Sequence, residues 1–294
     1  MNIQGFVLHL RTRGFSDGTV RAYSAELLQF QHYLRERKLR VNQVKPIHVE
    51  KYLHWRDPKT EHQPATARRR LAALSSFYDF VGVMANGYIR NPVRPLRRPR
   101  RQPPRPNPLD EKQLAVLAKG IDNVRDAAII GLLLHSGLRL SELCSLNRNS
   151  IAIEHLDANP AGKIVGVGRV LGKGRKEREF LVDRPTMKLV HEYLLKRGLD
   201  DIDALFLSNR RRRVDPRTIQ HMLHAWCKRL RLPPLHPHQL RSTFGTRLNR
   251  VGVPTFEISK LLGHASLDST VMYIKPDARR IRTEYFAAHE KLNP

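Results

Sequence analysis

Asn91-Pro92-Val93-Arg94-Pro95-Leu96-Arg97-Arg98-Pro99-Arg100-Arg101-Gln102-Pro103-Pro104-Arg105-Pro106-Asn107-Pro108 packs seven prolines and six arginines into eighteen residues. Proline has no backbone N–H and a fixed φ, so this run can form neither a helix nor a central strand. It reads as an extended, semi-rigid linker of polyproline type. It divides the 294-residue chain into residues 1–90 and residues 109–294, two lengths that each suit a domain.

Toward the N-terminus the pattern is helical. Val20, Tyr23, Leu27, Phe30 and Leu34 form one apolar stripe at spacings of 3 and 4 after the turn and cap residues Ser16-Asp17-Gly18. A second stripe, Ala67, Leu71, Leu74, Tyr78 and Val81, follows Pro64 and ends near Gly82. Arg68, Arg69 and Arg70 crowd the start of that helix, where the dipole favours negative charge. Phosphate is the partner this suggests, and a solvated arginine face is the alternative.

Toward the C-terminus the pattern is mixed. Ala127–His135 is an almost wholly apolar helix, and Ser141-Glu142-Leu143 opens another. Ile164–Leu171 and Glu179–Val182 flank Gly172-Lys173-Gly174-Arg175, the signature of a β-hairpin. Asp215-Pro216 caps a helix carrying Ile219, Leu223, Trp226 and Leu230. Pro237 opens one carrying Leu240, Phe244 and Leu248. The predicted fold is mostly α: a helical N-terminal domain, then an α+β domain with a small hairpin or sheet.

The net charge is +26, and every segment shares in it, with excesses of +8 over 1–90, +6 over 91–108 and +12 over 109–294. A chain-wide excess points to an extended polyanion, because each Lys or Arg on a phosphate releases a condensed counterion. Anionic lipid or a merely solvated surface are the other readings. No apolar run reaches 18 residues, so no membrane span is expected, and no signal peptide is evident. Cys144 and Cys227 lie in helix-like apolar patterns, as reduced core thiols do. The expected location is the cytoplasm, associated with the nucleoid.

Four short segments carry chemistry. In Ser136-Gly137-Leu138-Arg139-Leu140-Ser141-Glu142-Leu143, Arg139 falls between a helix stopping at Gly137 and one capped by Ser141, and Glu142 can orient it. Lys173 sits between two glycines in the hairpin turn. His238 and Arg241, at i and i+3, share a helix face. Leu261-Leu262-Gly263-His264 is followed nine residues later by Tyr273. Each residue alone has an ordinary structural explanation: an ion pair, a solvated turn, a core histidine, a packing tyrosine.

In this order and these settings, Arg139, Lys173, His238-x-x-Arg241, Gly263-His264 and Tyr273 resemble the tyrosine recombinase (phage integrase) family along the whole chain. Thr19, Tyr23, Leu27 and Phe30, then Thr66, Arg70, Leu71, Leu74, Phe77 and Asn91-Pro92, look like its helical core-binding domain in the simple Xer-like layout. The resemblance implies a SAM-like domain over 1–90, a linker over 91–108 and a catalytic domain over 109–294 ending in an exchange helix. It implies a site-specific recombinase that cleaves and rejoins DNA through a 3′-phosphotyrosine and a Holliday junction. Arg139 and Arg241 would clamp non-bridging oxygens, His238 and His264 would add hydrogen bonds, and Lys173 would protonate the leaving 5′ oxygen. Tyr273 would be the nucleophile. No cofactor or metal is called for, since the arginines supply the charge a metal would bring. Ser242 departs from relatives that carry His or Lys there.

The partners implied are double-stranded DNA with an inverted-repeat site and the chain itself in a tetrameric synapse, with room for a second recombinase or an accessory protein. The arginines expected on DNA are Arg68, Arg69, Arg70, Arg97, Arg98, Arg100, Arg101 and Arg175. Asp277–Lys291 reads as a short helix with Ile281, Tyr285, Phe286 and Ala288 apolar, suited to coupling protomers. Three rival readings stand beside this one. A zinc site at His221, His224, His236 and His238 lacks a C-x-x-C pair. An inactive, architectural DNA-binding relative sits poorly with six filled catalytic positions. A type IB topoisomerase shares the chemistry but not the arginine-rich N-terminal domain.

Overall fold

The computed structural model describes residues 1–56, 64–97, 99, 107–155, 164–172 and 177–263. It separates into two compact units, Met1–Pro103 and Pro104–Pro294. Lys173, Arg175, His264, Tyr273, Arg98, Arg100, Arg101 and the helix expected over Asp277–Lys291 lie outside the described residues.

The first unit holds α1 (Ile3–Thr12), α2 (Asp17–Glu36), α3 (Pro46–Arg56) and α4 (Pro64–Met84). The two expected stripes form α2 and α4. Ser16 caps α2 by accepting from the Thr19 amide, which satisfies one of the orphan donors at a helix start. Leu27, Phe30, Leu71, Leu74, Phe77 and Tyr78 meet in one core, together with Phe6 of α1 and Tyr52 of α3.

Two expectations need correction here. Arg70 is only 6% exposed, with its Nε 3.6 Å from Oε1 of Glu26, and Tyr52 donates to the same carboxylate oxygen at 2.5 Å. Glu26 is itself buried. A charge taken out of water persists only with a partner, and Glu26 is that partner for Arg70. Arg70 is thus a core residue of the unit, where an arginine reading DNA was expected at the surface. The linker also begins later than Asn91. The Asn91 amide donates to the Ser75 carbonyl and to Asp79, and Val93 is buried in the helical core. Arg68 donates to the Pro99 carbonyl at 2.7 Å, whereas Arg69 and Arg97 face solvent.

The second unit contains α5 (Glu111–Gly120), α6 (Val124–His135), α7 (Leu140–Ser145), β1 (Ile151–His155), β2 (Ile164–Leu171), β3 (Glu177–Val182), α8 (Arg184–Arg197), α9 (Pro216–Arg229), α10 (Pro237–Arg250) and α11 (Thr255–Leu262). Helix α6 packs against α8 and α10. It contributes Ala128, Ile129, Leu132 and Leu133 to a core shared with Phe180, Phe206, Ile219, Leu223 and Leu240. The expected hairpin is present with Leu171 paired to Glu177, so its second strand starts two residues earlier than the reading from Glu179. A third strand, β1, pairs antiparallel with β2. Among the described residues the fold is mostly helical with one small antiparallel sheet, as expected. Cys144 and Cys227 are buried free thiols, and burial pushes Cys144 up to about 11. No helix among the described residues is long and apolar enough to cross a membrane.

Candidate active site

Helix α6 ends where its apolar run ends, and Gly137 turns the chain with φ +61°. Only glycine adopts that region without strain. The turn is also crowded, since a Cβ at Gly137 would lie 2.6 Å from the Phe244 ring and 2.9 Å from Leu262. The chain then enters α7, whose N-cap is Arg139 rather than the expected Ser141. The Arg139 amide donates to Oε2 of Glu142 at 2.8 Å, and its guanidinium Nη1 donates to Oε1 at 2.7 Å. One carboxylate therefore fixes both ends of Arg139, as the sequence suggested.

Arg241 lies on α10, where it donates Nη1 to the Gly137 carbonyl and Nη2 to the Leu262 carbonyl. Arg139 Nη2 donates to the Gly263 carbonyl at 2.7 Å. A third guanidinium, from Arg178 of β3, donates to the Leu261 carbonyl and to Oε2 of Glu142, both at 2.6 Å. The last carbonyls of a helix have no partner within it, and they carry the negative end of its dipole. Here Leu261, Leu262 and Gly263, the end of α11, each receive a different arginine. That end leads directly to His264.

The electrostatics follow. Two guanidiniums, those of Arg139 and Arg178, meet one carboxylate, Glu142, which is 3% exposed. Burial opposes its ionisation, but Arg178 and the Arg139 amide and guanidinium outweigh burial and hold its pKa below the usual 4.5. With Arg241, these side chains carry two positive charges in excess of the carboxylate. His238 stands one turn before Arg241 at the open edge of the site. Desolvation, then the charges of Arg241 and Arg139, hold its pKa below 6.5. It is a neutral imidazole at neutral pH, able to donate from one nitrogen and accept at the other.

The structure thus brings together Arg139, His238 and Arg241 of the expected catalytic set. Ser242 is buried. The histidines weighed as zinc ligands, His221, His224, His236 and His238, are all exposed, and the described residues contain no cluster of three or more metal-binding side chains. Arg178 was not foreseen. Its signal was in the strand pattern: positions 178, 180 and 182 point to the inner face of β3, and an arginine beside Phe180 and Val182 needs acidic or carbonyl partners there.

Comparison with known proteins agrees over both units. Residues 107–280 match the Phage integrase family, and residues 3–82 match the phage integrase N-terminal SAM-like domain. The tyrosine recombinase XerC of Myxococcus xanthus is 33% identical over 304 residues, covering 98% of this chain and 97% of that protein. XerC of Pelobacter propionicus is 33% identical over 300 residues, covering 98% and 95%. The XerA recombinase structure is similar with TM-score 0.51 and 26% identity, covering 99% of this chain and 98% of that one. The fold also matches XerH recombinase bound to its palindromic difH substrate, with TM-score 0.72 at 19% identity over 90% of this chain and 78% of that one. With an arginine cluster in the second unit and family matches across both, the chain belongs to the phage integrase family of tyrosine recombinases, enzymes that break and rejoin DNA.

Proposed function

We propose that this recombinase cuts one DNA strand by attack of the Tyr273 oxygen, its proton passing to the neutral imidazole of His238, on a backbone phosphorus, forming a 3′-phosphotyrosine and releasing a 5′ hydroxyl. Arg139 and Arg241 hold the non-bridging oxygens, and His238 and His264 hydrogen-bond to the same phosphate. Lys173 gives its proton to the departing 5′ oxygen. The phosphotyrosine conserves the energy of the broken bond, so attack by a 5′ hydroxyl from the partner duplex rejoins the strand without a nucleotide. Two such rounds pass through a Holliday junction. The observation that carries this reading is the convergence of Arg139 and Arg241 on the carbonyls that immediately precede His264.

The substrate in this reading is duplex DNA with an inverted-repeat site, held in a tetrameric synapse in the cytoplasm. Arg69, Arg97, Arg98, Arg100, Arg101 and Arg175 contact phosphates away from the cut. A nicked suicide substrate, which traps covalent protein on DNA, tests the nucleophile. Tyr273→Phe loses only a hydroxyl, so it should bind the site normally and form no adduct. An adduct formed by the phenylalanine variant would move the chemistry to another residue.

A further inference from the structure

We infer that Arg178 is a positioning residue for cleavage, acting through Arg139 by holding Glu142, one acceptor that orients its guanidinium, and the backbone beside Gly263, the other. The inference rests on the reading of Arg139 as a phosphate clamp. It concerns what places that clamp.

Arg139 presents Nη1 to Glu142 and Nη2 to the Gly263 carbonyl. Arg178 reaches behind both acceptors. Its Nη2 donates to the other oxygen of Glu142 at 2.6 Å, and its Nη1 donates at 2.6 Å to Leu261, two residues before Gly263. Its side chain also packs under Gly263, where a Cβ would fall 2.3 Å from Arg178 Cδ. With φ +56°, Gly263 permits both the left-handed turn and this close approach. If Arg178 moves, the carboxylate and the carbonyl that aim Arg139 move with it.

Exposure separates the roles of the two arginines. The Arg139 side chain is 30% exposed and the Arg178 side chain 8%. Arg139 uses one N–H on each terminal nitrogen for the protein and keeps donors for a ligand. Both terminal nitrogens of Arg178 are spent on protein acceptors, with longer contacts to the carbonyls of Glu179 at 3.4 Å and Gly137 at 3.5 Å. Its Nε is buried without a partner. The terminal nitrogens of Arg178 are thus fully committed to the protein, whereas those of Arg139 are not. Because β3 follows Lys173 in sequence and pairs with β2, the same side chain ties those strands to the arginine site.

The test uses the full chain on a suicide substrate at saturating protein. Arg178→Gln should lower the cleavage rate by roughly 10²-fold, as expected when a clamp is displaced by about 1 Å, with site binding changed less than about threefold. Arg178→Lys keeps a charge for Glu142 but loses the second reach, and should fall between wild type and Arg178→Gln. In an Arg139→Ala background, Arg178→Gln should cost less than about a further threefold, because groups acting as a unit are not additive. Wild-type cleavage by both single variants, or a full multiplicative loss in the double variant, overturns the inference. Wild-type cleavage by Arg139→Ala removes the underlying reading, a result distinct from failure at Arg178. If Arg178→Gln fails to fold, Arg178→Lys carries the comparison. Unfolding of both assigns Arg178 to the core alone and overturns the inference.

Discussion

At Glu142 and His238, burial and neighbouring guanidiniums act on titration in different combinations. For the carboxylate they oppose each other and the arginines win. For the imidazole they act together and disfavour its charged form. The folded pKa of His238 therefore lies below the 6.5 of a free imidazole, and the folded state binds fewer protons than the unfolded state between the two values. Whatever stability this linkage contributes is present above pH 6.5 and is lost as pH falls through the folded value. An NMR titration of His238 should give a midpoint below 6.5, and Arg241→Gln should move it upward. A midpoint at or above 6.5 in the wild type would contradict the arrangement. At this scale the grouping of Arg139, His238 and Arg241 was legible through the order of motifs in the family resemblance, and Glu142 was legible as the neighbour of Arg139. Arg70 was misread. Its place at a helix start suggested phosphate, but its partner, Glu26, is 44 residues away in sequence.

Helix boundaries here are set by local chemistry that the sequence states openly. Asp183 caps α8 by accepting from the Thr186 amide at 3.1 Å, with Pro185 in the first turn and Gly198 at φ +75° after the last. His135, the last residue of α6, meets the same carboxylate at 2.7 Å, so one aspartate joins two helices and the end of the sheet. Burial opposes its charge, but hydrogen bonds from His135 and Thr186 hold its pKa at about 2 against 3.8 in a free chain. The stability this gives is present above pH 3.8 and is lost as pH falls toward 2. Urea unfolding between pH 5 and pH 2 should show that slope, reduced in Asp183→Asn. Asp183→Ala should cost about 1 kcal/mol at neutral pH, the usual worth of such a cap. An unchanged slope in Asp183→Asn would place the linkage elsewhere. The stripes of α2, α4, α6, α9 and α10 were legible because each spans several turns. Helices α1 and α3 bury only two residues each, Phe6 with Leu10 and Val49 with Tyr52, too few to show a period. Strand β1 was missed because its pairing with β2 is a tertiary fact.

For the whole molecule, a net charge of +26 spread over both units and the segment between them makes DNA affinity steeply salt-dependent. Plotting log affinity against log salt should give a strong negative slope. Arg98→Ala should reduce that slope by about one unit while leaving cleavage at saturating protein unchanged. An unaltered slope would take Arg98 off the phosphate backbone. The sequence by itself determined the division into two units, the helical character of the first, the paired strands in the second and the basic charge of every segment. Those properties rest on local physics: proline cannot enter a helix, apolar periodicity selects a helix or a strand, and like charges accumulate along the chain whatever its path. Tertiary structure alone decided which arginines face outward. Arg70 turns inward to Glu26, Arg178 disappears beneath Arg139, and the carbonyls of Leu261, Leu262 and Gly263 become their acceptors. An arginine's role depends on where its five N–H groups find acceptors, and a helix end is an acceptor that no one-dimensional pattern can place beside a residue more than a hundred positions away.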